Sequence, residues 1–176
     1  MQSPARGETA TLGQVSIMAH MPLFTIQNRQ LAGSWLVALQ LGFLVLQVAL
    51  AAPGVLQGII PVTAWLLAAA ALALATWTLS HNRLGNFNIR PTPKVGALLV
   101  TSGPYRWIRH PMYTSLLLGS GALAWTSEPL AGWLTWTALA VVLLLKATLE
   151  EQWLREQYAD YGAYSSVSKR FVPWLF

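Results

Sequence analysis

Two groups of polar side chains interrupt a chain that is otherwise mostly apolar. The first is Gly103-Pro104-Tyr105-Arg106-Trp107-Ile108-Arg109-His110-Pro111-Met112-Tyr113, with two arginines, a histidine and two tyrosines. The second is Lys146, followed one helical turn later by Glu150-Glu151. Arginine, lysine and histidine hold anions by charge-assisted hydrogen bonds, and carboxylates accept from ammonium or hydroxyl groups. Lys146 and Glu150 stand at i, i+4, so a helix puts them on one face. One reading is a snorkelling lysine with a surface ion pair, worth about a few tenths of a kcal/mol. The other is a pocket, with the cation for an anionic substrate and the carboxylate for a cofactor. Ionisable groups near a bilayer are costly, and those that face inward pair with one another or serve a ligand.

Composition narrows the setting. The chain has 176 residues, 55% hydrophobic and 10% charged, with nine tryptophans and a positive mean hydropathy. That is one domain of a polytopic membrane protein rather than a soluble enzyme. The net charge of +5 comes without a basic run interleaved with aromatics, so nucleic acid is not expected as a partner and anionic lipid or ligand is. The absence of cysteine excludes disulfides, thiolate metal sites and a cysteine nucleophile. His20, His81 and His110 lack metal-ligand spacing, and no metal is expected. There is no strand–GxGxxG–helix unit, no GxSxG and no HExxH.

The elements that must position these residues are helices. Residues 1–30 read as a polar tail or interfacial segment, and 31–176 as the membrane domain. Spans are expected at 31–52, 59–80, 112–126 and 130–149, the third of them short against the roughly 20 residues that cross the hydrocarbon core. Gln40 and Gln47 are seven apart in the first and share a face that looks into the bundle. Pro53-Gly54 is expected to end it. The alanine-rich second span offers the small surface that lets helices approach closely in lipid. Between the second and third lies a connection of about 30 residues, far longer than usual and too aromatic for disorder. Residues 150–164 read as an amphipathic extension of the last span. All eleven Lys and Arg fall in the N-terminal tail, in the long loop, or from Lys146 onward. The positive-inside rule then puts both termini and the long loop in the cytoplasm, for a protein of the cell membrane. The fold expected is an all-α polytopic bundle of about four transmembrane helices. Its cytosolic pocket would be formed by the 81–113 loop and the C-terminal helix.

The quoted residues also match a known pattern. Asn86-Phe87-Asn88, then Leu99-Val100-Thr101-Ser102-Gly103-x-Tyr105-x-Trp107-x-Arg109-His110-Pro111-x-Tyr113, then Glu150-Glu151-x-x-Leu154, Tyr161, Tyr164 and Phe171-Val172-Pro173 resembles the isoprenylcysteine carboxyl methyltransferase family. That family is related to the phospholipid methyltransferases. The resemblance covers about residues 80 to 176. It implies S-adenosylmethionine as cofactor, and a lipophilic small molecule or prenylated substrate that enters from the bilayer. By matching position, Leu99, Val100, Tyr105, His110, Tyr113 and Glu150 are expected to bind the cofactor. Lys146, which stands where the family has a substrate-contacting arginine, and Arg109 are expected to act in catalysis. Lysine for arginine loses the bidentate fork, and Ala97 stands where eukaryotic enzymes often carry histidine. Phospholipid N-methyl transfer, thiol S-methyl transfer, a sterol-reductase-like enzyme using a reduced nicotinamide cofactor, and a non-enzymatic anionic-lipid-binding protein remain alternatives.

Overall fold

In the computed structural model the described residues are 23–82 and 99–175, with side chains from Asn28 onward. Arg90, Ala97, the Asn86-Phe87-Asn88 run and the tail at 1–22 lie outside them. The described elements are α1 (Leu23–Leu56), α2 (Val62–His81), a short 3-10 helix (Gly103–Arg106), α3 (Pro111–Thr126), α4 (Pro129–Gln157) and α5 (Tyr161–Val167). The protein is an all-α membrane bundle, as expected.

Among the described residues three stretches are long and apolar enough to cross a membrane: Asn28–Leu56, Val62–His81 and Pro129–Gln157. Their large apolar side chains point outward. Trp35, Val45, Trp65, Leu72 and Leu134 are all exposed, as lipid-facing residues must be. With 16 residues, α3 is roughly 24 Å long at 1.5 Å per residue, against a hydrocarbon core of about 30 Å. It nevertheless joins the same two ends of the bundle as its neighbours. Its first residues meet the end of α4 through His110 and Glu151, and a β-carbon on Gly54, late in α1, would meet the carbonyl of its last residue, Thr126. Among its buried residues are Ser115, Ser120, Gly121, Ala122 and Ala124, small groups that let α2 and α4 close on it.

The helix boundaries differ most from the expected ones in α1 and α4, and α2 starts at Val62 rather than 59. α1 starts at Leu23, because no breaker separates Leu23-Phe24-Thr25-Ile26 from the span. It also runs through Pro53. Proline removes one ladder bond, yet the Gln57 amide still closes a turn on the Pro53 carbonyl (3.1 Å) and the stop comes at Gly58, with φ +71°. The expected 150–164 extension is two pieces. α4 continues without a break to Gln157, and Tyr158 at its C-cap turns extended (φ −118°, ψ 115°). The chain restarts as α5 and folds back toward α3.

Candidate functional site

The approach to α3 is held by a glycine. Gly103 has φ +59°, and a β-carbon there would overlap the His81 ring at the end of α2. Only glycine meets both demands. The 3-10 turn follows, and the chain then runs beside the C-terminal segment. Lys169 donates its amide to the Trp107 carbonyl (2.9 Å), Arg109 to Lys169 (2.7 Å) and His110 to Arg170 (3.1 Å). This short parallel pairing, with Ile108 buried at its centre, carries Arg170 and Phe171 to the start of α3. Thr114 seals it by donating to the Phe171 carbonyl (2.9 Å).

Pro111 occupies the first turn of α3, where a missing N–H costs nothing. His110 is therefore the N-cap, and its carbonyl accepts from the Tyr113 and Thr114 amides. Its ring points across to α4. Nε2 is 3.2 Å from Glu151 Oε1, and Nδ1 is 3.6 Å from Glu150 Oε2. Tyr113 lies one turn on, so its ring stacks on His110 with centroids 5.3 Å apart and planes at 4°. Phe171 leans on both rings.

The two glutamates sit in different surroundings. The Glu151 side chain is 1% exposed and accepts from Arg109 Nε (2.9 Å), Arg170 Nε (3.2 Å) and Arg170 Nη2 (3.0 Å), with Arg155 Nη2 at 3.5 Å. Glu150 is 32% exposed and accepts from the Tyr113 hydroxyl (2.9 Å). One carboxylate is enclosed by cations, and the other opens outward beside an aromatic stack.

Lys146, one turn before Glu150, is fully buried. Its Nζ donates to Gln40 Oε1 on α1 (2.6 Å) and lies 5.0 Å from the centre of the Tyr113 ring. Arg109 also donates through Nη1 to the carbonyls of Ser165 (3.0 Å) and Ser168, so its guanidinium fastens α5 and the tail to Glu151. Tyr105 is half-buried, and its carbonyl accepts from the Tyr164 hydroxyl (2.8 Å). Burial, with the Glu150 charge adding to it, pushes the Tyr105 hydroxyl well above the usual tyrosine range. Burial pushes Tyr164 up to about 12. Both are neutral donors at ordinary pH.

The structure thus brings His110, Tyr113, Lys146 and Glu150 together, with Arg109 behind them and Tyr105 in reach of the Glu150 field. Leu99 and Val100 are half-buried on the way into the 3-10 helix. Among the described residues they share no backbone hydrogen bond with this cluster. Arg170 and Gln40 are members that the sequence reading did not assign. Arg170 had a signal in advance, because a carboxylate buried at a membrane edge needs cations and the basic tail supplies them.

An open carboxylate, stacked aromatic faces and a buried ammonium one turn deeper stand together at the end of an apolar bundle, an arrangement that can accept from cationic or hydroxyl groups. Residues 59–161, more than half of the chain, match the phospholipid methyltransferase family, and the chain belongs to it. The isoprenylcysteine carboxyl methyltransferase resemblance points to the same group of integral-membrane methyltransferases. The chain is also similar to the cobalt-zinc-cadmium resistance protein CzcN of Cupriavidus metallidurans, with 37% identity over 79 residues. That alignment takes in 44% of this chain and 36% of the relative, so the chain spans little more than a third of that protein's length.

Proposed function

We propose that this protein is a methyltransferase that uses S-adenosylmethionine and methylates a carboxylate on a lipophilic acceptor that enters from the bilayer, as an isoprenylcysteine carboxyl methyltransferase does. The observation that carries the reading is the pairing of an open Glu150, beside the His110–Tyr113 stack, with a buried Lys146 one turn deeper. The donor set fits the cofactor. Glu150 accepts from its ammonium or ribose hydroxyls. Tyrosine faces stabilise its sulfonium cation. Leu99, Val100 and Tyr105 line the approach, largely through backbone.

Held by Glu150 beside the His110–Tyr113 stack, the cofactor would supply an electrophilic methyl group for the acceptor oxygen, with its sulfur as the leaving group. The protein's part is to position and to exclude water. Lys146 orients the acceptor carboxylate by charge. Glu150 is held in place by Tyr113, and the buried Glu151 with its arginines holds α4, α5 and the start of α3 in register. A carboxylate nucleophile carries no proton, so no general base is required. Arg109 is a positioning residue in this account. Its guanidinium is committed to Glu151 and to the Ser165 and Ser168 carbonyls. The site, both termini and residues 81–113 face the cytoplasm, on the argument from basic residues.

The family description favours a second acceptor class, the amine of a phospholipid headgroup. An ammonium acceptor would have to lose a proton beside Lys146, and the lysine charge would repel it. Transfer of a labelled methyl group to N-acetyl-S-farnesylcysteine and to phosphatidylethanolamine vesicles separates the two. Transfer to the acid alone supports carboxyl methylation. Transfer to the lipid alone overturns it.

A further inference from the structure

We propose that Gln40 is a positioning residue for the methyl acceptor, acting through Lys146, so that α1 takes part in choosing the acceptor. This rests on the carboxyl-methyltransferase reading and names the residue that would set its acceptor side. A lysine amine rides on a flexible four-carbon stem with three donors, so the backbone alone does not aim it. Here two groups do. Gln40 Oε1 takes one N–H at 2.6 Å, and the Tyr113 ring lies 5.0 Å away. The Tyr113 hydroxyl in turn holds Glu150, so a single side chain links the amine to the candidate cofactor carboxylate.

The chemical type at position 40 matters. A neutral amide orients the ammonium without adding a negative charge to the site. A carboxylate there would act as a counter-ion and compete with the carboxylate of the acceptor. Gln40 stands on α1, before the 59–161 stretch that defines the family. The acceptor cation is thus steered from a helix outside the matched region. Gln47, one heptad on and fully buried, has neither amide atom hydrogen-bonded, so this face carries polar groups beyond what the protein's own contacts use.

The test is equilibrium binding of N-acetyl-S-farnesylcysteine and of its methyl ester to detergent-purified protein saturated with S-adenosylhomocysteine. The wild type is expected to prefer the acid about tenfold, a difference of one charge-assisted contact. Gln40→Glu should erase that preference and Gln40→Leu should reduce it severalfold. Both should bind S-adenosylhomocysteine within about twofold of wild type, a shift of roughly 0.4 kcal/mol or less. Gln47→Leu, on the same face without a bond to Lys146, should keep the preference. A merely structural role for Gln40 would weaken acid and ester alike. An acid preference absent from the wild type, or unchanged in both Gln40 variants, overturns the proposal and leaves the cofactor reading standing. Failure of the wild type to bind S-adenosylhomocysteine strikes the cofactor reading itself.

Discussion

Glu151 accepts from Arg109, Arg170 and His110 inside the protein, with Arg155 alongside, so its removal leaves buried positive charge without an anion. Breaking a buried pair of this kind costs on the order of 3–5 kcal/mol. Glu151→Ala should therefore lower the melting temperature in detergent by many degrees. Glu150 is part-exposed and has one tyrosine donor, so Glu150→Ala should leave the melting temperature nearly unchanged and weaken cofactor binding instead. Tyr113→Phe removes the hydrogen bond to Glu150 but keeps the stack, and should weaken S-adenosylhomocysteine by a few-fold up to about tenfold, the range of a charge-assisted bond. Tyr164 adds a pH dependence. Burial raises its folded value to about 12, above the ordinary 10.0, so its contribution is complete below about pH 10 and is lost as pH rises toward 12. Thermal melts should be flat in this respect up to about pH 10 and fall beyond it. The residue types of the site were legible in the sequence, because a run such as Arg109-His110-Pro111-x-Tyr113 and a Glu-Glu pair stand out in an apolar chain. Which glutamate is enclosed was not legible. Adjacent helix positions differ by about 100° of rotation, and only the placement of Arg170 and Arg109 decides which one turns inward.

α3 and the two ends of α4 decide the geometry at the scale of elements. Gly103 is required by its positive φ and by the His81 ring, whereas Gly119 has a methyl group of Ala71 at ordinary contact distance. Gly103→Ala should cost more stability than Gly119→Ala, by at least about 1 kcal/mol. Thermal melts of the two variants decide it, and equal values would count against the placement of the 103–110 approach. On α1, Gln47→Leu replaces an amide with no partner by an apolar group and should raise stability by about 1–2 kcal/mol. The spans were readable because length and hydropathy are properties of contiguous sequence. The break at Tyr158, the return of α5 and the pairing of residues 107–110 with 169–170 were not. They depend on contacts between segments about sixty residues apart, and periodicity carries no trace of those.

At the scale of the whole molecule, the described basic side chains and the candidate site share one end. Arg29 reaches Glu156 there (2.8 Å), and Arg106, Arg109, Arg155, Lys169 and Arg170 crowd around the start of α3 and the end of α4. The opposite end, with Gly58 and Ser127, has no Lys or Arg in its turns. Because the chain has no cysteine, single substitutions give a clean map. Ser166→Cys should react with a membrane-impermeant thiol reagent from the cytoplasmic side and Gln57→Cys from the other. Reaction of both from one side would overturn the proposed topology. Calorimetric titration of S-adenosylhomocysteine into wild type and Glu150→Ala tests the proposed cofactor pocket around Glu150. Saturable one-site binding to the wild type is expected, with at least about tenfold weaker binding to a variant that melts at the same temperature, a loss of about 1.4 kcal/mol or more. Equal affinity in the two, or no binding to folded wild-type protein, would contradict it.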